Sequence, residues 1–254
     1  MWETKTYKDK KLKNTILVEG LPGIANVGKI VADYLVDQFK AEKIMSFSSY
    51  DLPNSVFVNE EGLVELPKIE LYHKKINGKD FLFLCGDVQP NNEKSSYLFT
   101  EKILLTAKKY GCKEIVTLGG IGLAEVPEKP RVYCTANEKK FLKKFTKSGA
   151  SSDVYGIVGP IIGISGLLVG MSKKEKINGV ALLTETYGHP MFLGLQSAKE
   201  TLKVVSKAYK IKIDYKDINK EIKLFEKEMK GEDVSHEKSS LQRLKKIKEI
   251  SYIG

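Results

Sequence analysis

At 254 residues the chain is long enough to bury the core of one or two domains, and 42% hydrophobic with 29% charged residues excludes a disordered or fibrous protein. Its net charge of +10 invites a nucleic-acid reading, but Arg131 and Arg243 are the only arginines, and arginine is the side chain that clamps phosphates and reads guanine in bidentate fashion. The lysines instead alternate with glutamates, as in 108–115 and 220–230, which describes the solvated surface of a heat-adapted protein and not a nucleic-acid face.

Residues 2–14 are polar and charged, with no apolar stretch to serve as a signal peptide. Cys85, Cys112 and Cys134 are widely spaced and form no CxxC pair. Together these predict a cytoplasmic protein with buried free thiols.

An apolar β-branched run over 15–19 predicts a buried strand. A glycine-proline turn follows, and then a helix over 27–40 with Val27, Ile30, Val31, Tyr34 and Leu35 on one face. Gly23 to Lys29 matches the GxxxxGK spacing of a phosphate-binding loop. The next residue should be Ser or Thr to ligate Mg²⁺, and it is Ile30. Two readings follow. In one, amides at the helix start attract an anion that Lys29 neutralises, with Asp87 as the nearest second acidic element. In the other, Gly20 and Gly23 make a strand-to-helix turn, Asn26 caps the helix and Gly28 permits close packing.

Further along, 44–48 reads as a strand and 55–76 as antiparallel strands, with Asn77-Gly78 as a hairpin turn. A strand over 81–86, a helix over 97–110 and a strand over 114–118 come next. Gly119 and Gly120 then predict a second glycine turn, at the kind of strand end where α/β sheets bind ligands. Residues 154–172 carry no charge but are rich in glycine. Pro160 suits a first helical turn, leaving about a dozen helical residues, whereas a membrane span needs about 20. A buried helix of a soluble protein is expected, with no membrane partner.

After a strand over 180–184, Glu185 and His189 are spaced to act as an acid/base pair at the sheet rim, or else serve structure alone. With Lys29 they make up the candidate ligand rim. Three histidines, His73, His189 and His236, offer no metal-ligand spacing, so neither metal nor cofactor is expected. His73 and His236 look exposed. A helix over 195–209 leads to a charged helix over 214–230, a polar break at 231–236, a lysine-rich helix over 239–250 and a tail at 251–254. Ile250, Tyr252, Ile253 and Gly254 put apolar and aromatic side chains beside a free carboxylate, the kind of tail that docks in a pocket or simply frays. Strands alternating with helices predict an α/β protein, three layers with a mixed central sheet, its core spanning 1–213 and a helical extension 214–254.

Three stretches carry a resemblance to a known family: EGLPGIANVGKIVADYL at 19–35, TLGGIGLAEVPEKPRVYCTA at 117–136, and GPIIGISGLLVGMSKKEKINGVALLTETYG at 159–188. In order and spacing the chain resembles the archaeal members of the proteasome assembly chaperone family. The resemblance implies an α/β/α fold related to nucleoside phosphorylases without their catalytic residues. It also implies a homo-oligomer, a tetramer or pentamer, that binds proteasome α-subunits and is not an enzyme. Some relatives end in a hydrophobic–tyrosine–any tripeptide that enters pockets between α-subunits. Here Tyr252 stands third from the end instead of second and Ser251 precedes it, so Ile253 and the Gly254 carboxylate would dock in a shifted register.

Overall fold

The computed structural model describes residues 2–59, 61–90, 92–154, 156 and 159–231. Ten strands are found among them: β1 (Glu3–Thr6), β2 (Thr15–Gly20), β3 (Glu42–Ser48), β4 (Phe57–Val58), β5 (Val64–Glu65), β6 (Ile69–Ile76), β7 (Lys79–Gly86), β8 (Cys112–Leu123), β9 (Val132–Ala136) and β10 (Asn178–Tyr187). The helices are α1 (Val27–Phe39), α2 (Glu93–Lys109), α3 (Lys139–Thr146), α4 (Ile164–Ser172), α5 (Leu195–Tyr209) and α6 (Lys216–Met229). Eight strands form one sheet in the order β1-β3-β6-β7-β2-β8-β10-β9, and β4 pairs only with β5. β7, β2, β8 and β10 run parallel, while every other pairing in the sheet is antiparallel. The fold is therefore a three-layer α/β/α arrangement around a mixed sheet.

The layers follow from strand alternation, since successive side chains point to opposite faces. In β2 and β7, Ile16, Val18, Phe81 and Phe83 face a core closed by α1, α3, α5 and α6. Leu17, Leu82 and Leu84 face the other core, closed by α2 and α4 through Phe99, Ile103, Ile164 and Leu168. Burial on both faces explains why these strands read as continuous apolar runs. The hairpin between β6 and β7 turns at Asn77 and Gly78, both at positive φ (48° and 79°), as the favoured two-residue turn requires.

Several elements depart from the sequence reading. α2 begins at Glu93 because Asn92 accepts a hydrogen bond from the Ser95 amide, a cap five residues before the first apolar signal at Tyr97. α4 begins at Ile164 and not near Pro160: Gly163, at φ 85°, prevents an earlier start, and nine helical residues remain. The polar N-terminus contributes the edge strand β1 and anchors Trp2 on Phe99, with ring centroids 4.2 Å apart. β9 and α3 add to the elements expected from the sequence. α6 buries Ile218, Ile222, Leu224 and Phe225 in the same core as α1 and α5.

Gly119 and Gly120 do not make a turn. They continue β8, whose ladder with β10 runs on to Leu123 opposite Tyr187. A Cβ at Gly120 would lie 2.7 Å from the Ile24 carbonyl oxygen, so this glycine admits a neighbouring loop and does not reverse the chain.

Candidate functional site

The parallel strands β2, β7, β8 and β10 end on one rim. α1 leaves β2 toward one face and α2 leaves β7 toward the other. Between such strands α/β sheets ordinarily keep a ligand crevice. Here it is filled by Lys29. Its ammonium donates to the Gly86 carbonyl at 2.9 Å and pairs with Asp33 at 3.0 Å and Asp87 at 3.6 Å. Burial disfavours the charged lysine, but the two carboxylates outweigh it and hold its pKa above the ordinary value. The cation is committed inward. Asp87 in turn accepts from the Lys68 amide at 3.1 Å.

The loop from Leu21 to Asn26 is clamped from outside. Gln89 donates to the Pro22 carbonyl at 2.7 Å, and the Gly194 amide donates to the Ala25 carbonyl at 2.8 Å. Ala25 and Asn26 both hold left-handed backbone, at φ 49° and 52°. Asn26 stands at the start of α1 but makes no side-chain cap bond, because that backbone turns it away from the extended geometry of a cap. Ile24 lies over Gly120 and Gly122 of β8. Gly20 and Gly28 are sites of close approach: a Cβ on Gly20 would meet the Gly28 oxygen at 2.1 Å, and one on Gly28 would meet the Leu118 oxygen at 2.3 Å. Gly23 is extended and a Cβ there meets nothing within 4 Å. The surrounding polar groups thus bind the loop's carbonyls, whereas an anion site would need its amides directed at the ligand.

The other rim candidates are held apart. Glu185 accepts from the Arg131 amide at 2.9 Å and the Tyr133 hydroxyl at 3.1 Å, with the Arg131 guanidinium at 3.9 Å. His189 accepts from the Met191 amide at 3.2 Å and stacks on Tyr187. Lys29, Glu185 and His189 therefore keep separate partners, and no acid/base pair forms among them. His73 is buried, not exposed, and bonds Asp80 at 2.9 Å. The three cysteines are buried and free; burial raises all three thiols, to about 11 for Cys112 and Cys134. Among the described residues no cluster of His, Cys, Asp or Glu is suited to a metal ion, and no helix is long and apolar enough to cross a membrane.

Two features of the rim fall outside the residues singled out from the sequence. Glu19, at the end of β2, is completely buried. It accepts from the Ser165 hydroxyl of α4 at 2.9 Å and from the Leu21 amide at 3.1 Å, and burial raises its pKa to about 7. The rim loops also expose Ile24, Val126, Ile162 and Met191, Ile162 at 88%. Each of these four loops thus turns an aliphatic side chain outward. The predicted tail residues Ile250, Tyr252, Ile253 and Gly254, and the helix over 239–250, lie outside the described residues.

Substituting Lys29 by methionine is expected to destabilise the protein by about 2 kcal/mol. Removing one partner of a buried pair costs about 3–5 kcal/mol, and the partial exposure of Asp33 and Asp87, 34% and 27%, lets water recover part of it. Urea unfolding of the two proteins measures the difference.

The PAC2 family model matches residues 17–232 of the chain. An uncharacterized protein of Methanocaldococcus jannaschii is 31% identical over 237 residues, 89% of this chain and 90% of the relative. Among solved structures, Pyrococcus furiosus PbaB, described as an archaeal proteasome activator, superposes with a TM-score of 0.81 at 26% identity over 91% of this chain and 98% of its own. Pyrococcus furiosus PbaA, described as an archaeal homolog of proteasome-assembly chaperone, gives a TM-score of 0.75 at 20% identity over 98% of each chain; at that identity it supports the fold alone.

Proposed function

The chain belongs to the PAC2 family, and we propose that it is a cytoplasmic, non-enzymatic proteasome assembly chaperone that forms a homo-oligomer and binds proteasome α-subunits through its C-terminal tail. The observation that carries this reading is the closed rim. The crevice that would hold a small molecule is occupied by the Lys29 ammonium on the Gly86 carbonyl, and the loops around it turn aliphatic side chains outward. The likeness to PbaB, described as a proteasome activator, supports a proteasome-related partner.

In this mechanism the cores assemble and several tails are presented together. Each tail binds weakly, and linkage raises the effective concentration of the next one. The lysines of 239–250 speed encounter with an acidic surface.

Deleting residues 251–254 is expected to leave the oligomer intact and to weaken capture of purified α-subunits severalfold in a pull-down. Undiminished capture by the truncated chain removes the tail from the mechanism.

A further inference from the structure

The end of the sheet opposite the rim, where β2, β7, β8 and β10 begin, gathers a charge imbalance that the rest of the chain lacks. Four segments meet at this foot. Residues 111–114 open β8, and Asn178 opens β10 opposite Glu114. Residues 137–147 lead into α3, which starts just after the Asn137 amide donates to the Gly179 carbonyl. Residues 173–178 join α4 to β10, and 207–210 close α5. Contacts tie them together: Lys144 of α3 pairs with Glu114 at 2.6 Å and lies 3.8 Å from the ring centroid of Tyr209 in α5, and Asn137 Nδ2 donates to the Ile177 carbonyl at 3.0 Å. The four segments hold eleven lysines, three glutamates and no arginine or aspartate, in a chain of net charge +10, so the remainder of the chain is close to neutral.

The three carboxylates are already engaged. Glu114 pairs with Lys144, Glu175 pairs with Lys108 of α2, and Glu138 accepts from the Lys140 amide as the cap of α3. Lys113, Lys139, Lys140, Lys173, Lys174 and Lys176 are exposed and stand in no ion pair among the described residues. Helix ends explain part of this arrangement. Cations suit the carbonyl end of a helix, as for the lysines that close α4 and α5. Lys139 and Lys140 are the reverse case. They occupy the first turn of α3, which carries no acidic residue, and there the helix end is itself positive and disfavours a cation. These two charges are placed against the preference of the fold.

We propose that the foot of the sheet is a docking surface for an acidic segment of another protein, rich in aspartate or glutamate. It lies across the sheet from the rim and uses no residue of the tail, so it goes beyond the reading above and does not depend on it. A protein fits this face better than a nucleic acid. α2, α4 and α5 all end here, and the last carbonyls of a helix lack intrahelical donors. A peptide brings backbone N–H groups to them along with its carboxylates, whereas a phosphate backbone brings no donor. The four segments also offer no arginine for bidentate phosphate contacts.

The test is fluorescence anisotropy of the full-length chain with two labelled probes of equal charge, a polyglutamate peptide and a DNA duplex. The foot variant is Lys139→Glu/Lys140→Glu/Lys174→Glu. The control, Lys94→Glu/Lys220→Glu/Lys223→Glu, makes the same change in net charge at exposed positions of α2 and α6. The parent is expected to bind the peptide, more weakly as salt is added. The foot variant is expected to lose about tenfold in affinity and the control to stay within about twofold. Acids suit the first turn of α3, so the foot variant is also expected to melt no lower than the parent. A parent that does not bind the peptide overturns the proposal, as does a foot variant that binds it unchanged. Equal losses in both variants overturn it by showing that net charge alone is read. Tighter binding of the duplex than of the peptide, lost in the foot variant, overturns it in favour of a nucleic-acid surface. A foot variant that melts well below the parent overturns it by showing that these lysines serve the fold. The chain lacking 251–254 is expected to bind the peptide as the parent does, so failure of the tail reading and failure of this one are read separately.

Discussion

Alanine at Gly28 is expected to destabilise the protein by about 3 kcal/mol and to lower its melting temperature by roughly 10 °C for a chain of this size. The new Cβ would stand 2.3 Å from the Leu118 carbonyl oxygen and 3.0 Å from its carbon, both backbone atoms of the central strand β8. No rotamer change relieves that contact, so α1 must lift from the sheet. Lifting it disturbs the end of β2 as well, where Gly20 sits against the Gly28 oxygen. Gly23→Ala is the control from the same loop. Its backbone is extended and its Cβ meets nothing within 4 Å, so a change within about 0.5 kcal/mol is expected. Thermal unfolding of the two variants decides the matter, and equal midpoints would refute the packing role given to Gly28.

Glu19→Gln is expected to remove a pH dependence worth about 3 kcal/mol, the free energy of raising a carboxyl from 4.5 to about 7. The cause is burial, opposed in part by the hydrogen bonds from Ser165 and the Leu21 amide. Because the folded-state pKa lies above the unfolded one, the folded protein holds the proton more tightly. This contribution to stability is complete below about pH 4.5 and is lost as pH rises through about 7. The parent is therefore expected to lose stability relative to the glutamine variant between pH 5 and pH 8. Melting temperatures measured across that range report it. Parallel curves for the two proteins would show that Glu19 is ionised throughout.

The layered architecture was legible because the central strands are buried on both faces and the helices between them are amphipathic. The runs at 15–19, 81–86, 114–118 and 180–184 lie within β2, β7, β8 and β10, respectively. What escaped was decided by tertiary contacts. β1 is polar because it lies at an edge, and β8 runs on through its glycines because Ile24 needs the missing side chains of Gly120 and Gly122. The rim was only half legible. The absent hydroxyl at Ile30 argued against a nucleotide, and the i,i+4 spacing of Lys29 and Asp33 allowed a pair, but nothing in the local pattern told that the ammonium would turn inward to the Gly86 carbonyl. Glu19 could have been suspected, since a lone carboxylate ending an otherwise apolar strand has few places to go but inward. The β4–β5 hairpin was read as strands, yet its exposed face depends on the absence of a covering element, which no local pattern encodes.

The two margins of the main sheet also bear on how such a protein survives crowding. At one margin β1 offers Glu3, Thr4, Lys5 and Thr6, all solvated. At the other, Ser151 exchanges backbone bonds with Val132 and Cys134 and shields the outer side of β9. Charge blunts the first border and a clasp of chain seals the second. Copies can then gather at high density without zipping the ladders of this sheet into fibrils.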